Sequence, residues 1–133
     1  MKRAWTPSKR TGVFHVRLGC CGGCGDLVDA VMRDRFEGRP RVFECESPRH
    51  AGLLVVTGLW RPGLTEAALE VIEQAPTGRK VVLVGDCALG RGPLSGIVRA
   101  GAELPGSMEP DAAIEGCPVY IKTICERIAD VAG

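Results

Sequence analysis

The sequence predicts an α/β domain built on a mainly parallel sheet, and three observations predict it. Two continuous apolar runs, Leu53-Leu54-Val55-Val56 and Val81-Val82-Leu83-Val84, have the composition of strands covered on both faces. Segments of helical periodicity separate the candidate strands, which is the pattern of a three-layer α/β fold. Glycine-containing breaks close the strands, at Thr57-Gly58, Gly85-Asp86-Cys87 and Glu115-Gly116-Cys117. Right-handed crossovers then bring every strand-to-helix loop to one edge of the sheet. Ligands of such folds bind outside the carboxyl ends of the strands.

Taken in order, Val13 to Leu18 reads as a first strand, its apolar run broken by His15 and Arg17. The glycine-softened thiol cluster Cys20-Cys21-Gly22-Gly23-Cys24 follows it. From Asp26, the expected N-cap, Leu27, Val28, Val31, Met32 and Phe36 fit a helix that Gly38-Arg39-Pro40 ends. Arg41 to Glu46 reads as a short strand and Ser47-Pro48-Arg49-His50 as a turn. Leu53–Val56 is the first doubly covered strand, and Trp60-Arg61-Pro62-Gly63 a loop. Thr65 to Gln74 is a helix broken by Pro76-Thr77-Gly78, and Lys80 to Val84 is the second covered strand. Gly90 to Pro110 is rich in loop residues. Asp111 to Ile114 is a short last strand, and Tyr120 to Ala132 a closing helix with Ile121, Ile124, Cys125, Ile128 and Val131 on one face.

The chain has 133 residues, the size of one domain with its own core. Residues 1–12 are expected to form a flexible basic arm (Lys2, Arg3, Lys9, Arg10), solvated or lying along a partner or anionic headgroups, and residues 13–133 a single domain. Lys+Arg total 17 against 16 Asp+Glu, which gives no electrostatic case for nucleic acid. No run approaches the roughly 18 apolar residues of a membrane span. There is no signal-peptide pattern or twin-arginine pair. The expected location is the cytoplasm, where thiols stay reduced, so the seven cysteines point to metal rather than disulfides.

Cys87 and Cys117 fall at predicted strand carboxyl ends, as does the Cys20–Cys24 loop, so thiols remote in sequence converge. Three chemistries fit converging thiols: a 4Fe–4S cluster on four thiolates, a structural four-cysteine zinc site, and a redox pair in Cys21-Gly22-Gly23-Cys24 at a helix start. Zinc ribbons present two paired knuckles, whereas here the distant cysteines are single. A redox pair leaves Cys87 and Cys117 without a role. Single distant cysteines in glycine-flanked loops favour the cluster, with zinc and the redox pair still open.

The ordered motifs CxGC, SPRHA-x-LLVVTG, GDCA and GCPV, spanning about Leu18 to Ile128, resemble the small subunit of NiFe hydrogenases and the related 20 kDa subunit of NADH:quinone oxidoreductase. The resemblance implies a flavodoxin-like domain holding one 4Fe–4S cluster nearest a large catalytic subunit. The hydrogenase branch uses both cysteines of CxGC, matching Cys21 and Cys24. The quinone branch uses a tandem pair, matching Cys20 and Cys21. The ligands implied are Cys21, Cys24, Cys87 and Cys117, with Cys20 an alternative ligand or neighbouring thiol. Gly23, Arg49, His50, Thr57, Gly58, Gly85 and Pro118 are implied around the cluster. Three positions depart from the family pattern: Cys20 stands where the hydrogenase branch has glutamate, Val119 replaces a second proline, and neither Gly25 nor Leu27 supplies the acidic residue after the motif, for which Asp26 is the nearest candidate.

The expected function is therefore electron relay to or from the large subunit of a NiFe-hydrogenase-like complex, closest to the energy-converting, membrane-associated type with ferredoxin-like and membrane subunits. No complete active site is expected on this chain alone. A quinone-reducing role, like that of the 20 kDa subunit, is the alternative, less favoured without a long amphipathic N-terminal extension. A zinc-stapled interaction module is the third reading. Cys45 and Cys125 read as core thiols, His15 as structural, and Trp60 as pocket lining, core or interface.

Overall fold

The computed structural model describes residues 11–19, 23–35, 42–61, 63–90, 109–116 and 119–132. Its strands are β1 (Thr11–Arg17), β2 (Val42–Glu44), β3 (Leu53–Thr57), β4 (Lys80–Val84) and β5 (Ala112–Ile114). They form one sheet in the order β2-β1-β3-β4-β5, and every pairing is parallel. This is the flavodoxin-like order, with the switch between β1 and β3. The helices are α1 (Gly23–Ala30), α2 (Leu64–Glu73) and α3 (Ile121–Ala132).

β3 is buried at all five positions because both of its faces are covered. Successive side chains alternate across a sheet. Leu53 and Val55 pack with Val13, Val28, Val31, Ile124 and Ile128, beneath α1 and α3. Leu54 and Val56 pack with Leu83, Trp60, Ala68 and Ile72, beneath α2. Val82 and Val84 of β4 join the first core, and Val81 and Leu83 the second. Cys125 is a core thiol of the α3 face, as expected, and Val119 is buried in the same core.

Three boundaries differ from the sequence expectation. β1 begins at Thr11, inside the segment set aside as an arm. α1 begins at Gly23, so Asp26 is not its N-cap but lies in the first turn, and the helix passes into a π-helical turn over Val31–Arg35. Its expected end at Phe36 to Pro40 lies outside the described residues. β2 stops at Glu44, and Cys45 follows it, buried, with Sγ donating to the His50 carbonyl at 3.5 Å. Burial raises the Cys45 thiol pKa, assisted by the neighbouring Glu44 charge, so this thiol stays protonated. The SPRH turn is a short 3₁₀ turn, Pro48–His50, in which Ser47 Oγ accepts from Arg49 N at 3.3 Å. The loop-rich stretch after Gly90 lies outside the described residues up to Met108.

Candidate metal centre

Cys24 sits in the first turn of α1, directly after the β1 loop, and is buried. A helix N-terminus favours the thiolate, because the unsatisfied N–H groups stabilise negative charge there. The Cys24 side chain lies against the backbone of the β4 loop. A methyl group on Gly85 would stand 2.7 Å from Cys24 Sγ and 3.7 Å from the Gly116 carbonyl oxygen. Gly85 also has φ +93°, a conformation that side chains disfavour. Residue 85 is thus glycine for two reasons: the turn after β4 needs its positive φ, and the approach of Cys24 needs its missing side chain.

The loops after β4 and β5 are tied together. Gly85 N donates to the Ile114 carbonyl at 2.8 Å, and Asp86 N to the Gly116 carbonyl at 2.9 Å. Gly116 N donates in return to Asp86 Oδ1 at 2.9 Å. This reciprocal clamp joins the residue before Cys87 to the residue before Cys117. Cys87 is buried in the turn that follows β4.

A brace from the β3 loop holds both thiol-bearing segments. Leu18 N donates to the Thr57 carbonyl at 2.8 Å, Leu59 N to the Gly19 carbonyl at 3.0 Å, and an Arg61 guanidinium nitrogen to the Leu18 carbonyl at 3.0 Å. Trp60, fully buried, donates its indole N–H to the Ala88 carbonyl at 2.7 Å, beside Cys87. Trp60 is therefore core, and its polar edge anchors the Cys87 turn. Gly58, at φ +101°, packs so closely on Gly19 and Leu18 that a side chain would collide with their backbone.

Beneath the α1 entrance runs a polar network. His15 Nδ1 meets Asp29 Oδ1 and His15 Nε2 meets Thr57 Oγ1, each at 2.7 Å. Burial lowers the His15 pKa, opposed by the Asp29 hydrogen bond and charge. The neutral ring donates through Nδ1 to the carboxylate and accepts from the Thr57 hydroxyl. His15 is structural, as expected. Arg17 grips Asp29 Oδ2 and Asp26 Oδ1 at 2.7 Å each. Asp26, with a side chain 76% exposed, is bound in this pair.

Of the residues implied around the cluster, Cys24, Gly23, Gly85, Gly58, Thr57 and Cys87 all lie at the carboxyl edge. Cys20, Cys21, Cys117 and Pro118 lie outside the described residues. Arg49 and His50 do not join the group: the His50 carbonyl packs against Gly12 at the start of β1, and Gly52 N bonds the Gly12 carbonyl, so the SPRH turn lies at the opposite, amino-terminal edge. Parallel topology explains this, since a segment that leads into β3 must enter at the amino end. Among the described residues, no three of His, Cys, Asp and Glu form a metal-holding group. The donor chemistry still fits a thiolate-held group: two buried cysteines, one in the first turn of α1 and one in the turn after β4, stand at one edge, with Gly85 between their segments. Sequence reading missed Arg17, Asp29 and Asp86. The GDC motif could have flagged Asp86, because aspartate after glycine often bonds loop backbone.

The fold and site define a flavodoxin-like domain whose carboxyl edge gathers cysteine-bearing loops. The chain belongs to the family of the 20 kDa subunit of NADH ubiquinone oxidoreductase, whose model matches residues 20–131. It is 34% identical over 128 residues to a probable membrane-bound hydrogenase subunit of Pyrococcus furiosus, covering 87% of this chain and 77% of that one. It is 30% identical over 107 residues to a subunit of F(420)H(2) dehydrogenase from Methanosarcina mazei, covering 76% and 54%. The fold is similar to a chain of the membrane-bound sulfane sulfur reductase, an archaeal respiratory membrane complex, with TM-score 0.75, 20% identity, and coverage of 99% and 75%. The family and flavodoxin-like fold expected from the four motifs are thereby established.

Proposed function

We propose that this chain is the electron-transfer subunit of a multisubunit oxidoreductase of the membrane-associated, hydrogenase-like type, working at the cytoplasmic face. Cys21, Cys24, Cys87 and Cys117 are the proposed ligands, and Cys20 is the neighbouring thiol. A 4Fe–4S cluster supplies, when bound, a one-electron carrier. The chain's own part is to present thiolates, exclude water and hold the loops rigid. Electron transfer then needs little rearrangement at the site, and the bond chemistry belongs to a large partner subunit. The observation that carries this reading is the packing of Cys24 Sγ against Gly85 beside Gly116, which brings the Cys24 segment to those leading into Cys87 and Cys117. No helix among the described residues is long and apolar enough to cross a membrane.

The family match and the likeness to a dehydrogenase subunit favour a second reading, in which electrons pass on toward a quinone or similar carrier. Low-temperature EPR of the anaerobically purified, dithionite-reduced complex tests both. The expected result is an S = 1/2 signal from this subunit that disappears in Cys87→Ser. Nickel signals from the same preparation select the hydrogenase type, and their absence with quinone-dependent reoxidation selects the second reading. A colourless, EPR-silent protein with stoichiometric zinc overturns electron transfer.

A further inference from the structure

Arg17 stands on the last position of β1, where its guanidinium crosses over the first turn of α1. A methyl group on Gly25 would lie 2.7 Å from Arg17 Nε and 2.8 Å from Cζ. The guanidinium therefore lies on the helix backbone in the space a side chain at position 25 would take. Gly25 is buried and follows Cys24 directly. From this seat Arg17 reaches Asp26 through one terminal nitrogen and Asp29 through the other, each at 2.7 Å. Asp29 is held in addition by His15, itself bonded to Thr57 at the end of β3. α1 is thus bound to the sheet through Asp26 in its first turn and Asp29 in its last, with the guanidinium lying on the Gly25 backbone.

We propose that Arg17 is a positioning residue for the Cys24 thiolate, seating the Gly25 backbone so that Cys24 Sγ rests against Gly85. The planar fork is essential. Lysine has the same charge but presents one donor centre, and it cannot both span two carboxylates and lie flat on a backbone. Gly25 is the other half of the same device, because a side chain there displaces the guanidinium. The functional consequence rests on the cluster assignment above, whereas the seating itself does not.

Five full-length forms test it: wild type, Arg17→Gln, Arg17→Lys, Gly25→Ala and the Arg17→Gln/Gly25→Ala double variant. In the metal-free chain, the alkylation rate of Cys24, assigned apart from Cys20 and Cys21 by fragment-ion mass spectrometry, is expected to rise about tenfold in each single variant. The double variant should rise no further, because both changes break one contact. In the loaded complex, each variant is expected to keep its iron and sulfide but show altered EPR g values. Arg17→Lys should resemble Arg17→Gln rather than wild type. Unchanged Cys24 alkylation and g values in Arg17→Gln, full rescue by lysine, or additive effects in the double variant would each overturn the proposal. A wild-type complex without iron and sulfide defeats the cluster assignment instead, and the alkylation rates then decide the seating alone.

Discussion

The indole N–H of Trp60 donates to the carbonyl of Ala88 at 2.7 Å, linking the loop after β3 to the turn that carries Cys87. Both residues are fully buried. A loop that supports its neighbours' backbones can hold thiols in place without touching them. Trp60→Phe removes one ring of the indole and orphans a buried carbonyl; the lost hydrogen bond alone costs about 1–3 kcal/mol, and the cavity adds to it. Denaturant unfolding should show a lower midpoint with an unchanged slope. Amide exchange should quicken over residues 86–90 more than over β4.

Gly85→Ala should abolish iron loading of the purified complex, because the new methyl group meets Cys24 Sγ at 2.7 Å. Gly63→Ala separates cradle from strain: Gly63 has φ +86°, similar to Gly85, but nothing within 4 Å of the added carbon. Iron content should be lost in the first variant and kept in the second. The second should lose only the roughly 1–3 kcal/mol of a side chain held in a sparsely populated positive-φ conformation.

The buried His15 makes stability pH-dependent. Its folded pKa is lowered, by burial first, so the unfolded chain binds a proton more readily than the folded one. The neutral ring's contribution is full above the unfolded value of about 6.5 and is lost as pH falls below it toward the depressed folded value. Unfolding midpoints should therefore drop between pH 7.5 and 5.5, and the drop should be smaller in His15→Gln. Thr57→Val removes the hydroxyl that donates to Nε2 and should cost about 1–3 kcal/mol at pH 7.5.

Cysteine replacements should divide by edge. Cys87→Ser should lower iron and sulfide content to background. Cys45→Ser and Cys125→Ser should leave it intact, since Cys45 bonds the His50 carbonyl near the amino edge and Cys125 packs in the α3 core. Loss of iron in Cys45→Ser with normal stability would contradict this division.

Much of this protein was determined by its sequence alone. Apolar runs at Leu53–Val56 and Val81–Val84, short, rich in β-branched valine and closed by glycine, read as strands covered on both faces, because side chains alternate across a sheet. From that follow the parallel order and the edge at which Cys24 and Cys87 stand. Four ordered motifs specified the family. Tertiary structure decided what local patterns cannot carry. Arg49 and His50 adjoin β3 in sequence but enter it from the far end. Asp26 had the chemistry of a cap, yet α1 starts three residues earlier, and Asp26 binds Arg17 in its first turn. The Asp86–Gly116 clamp, the Trp60–Ala88 anchor and the seat of Arg17 on Gly25 join segments remote in the chain. Such contacts exist only once the sheet has set its register, because hydrogen bonds and close packing depend on ångström distances that residue order leaves unspecified.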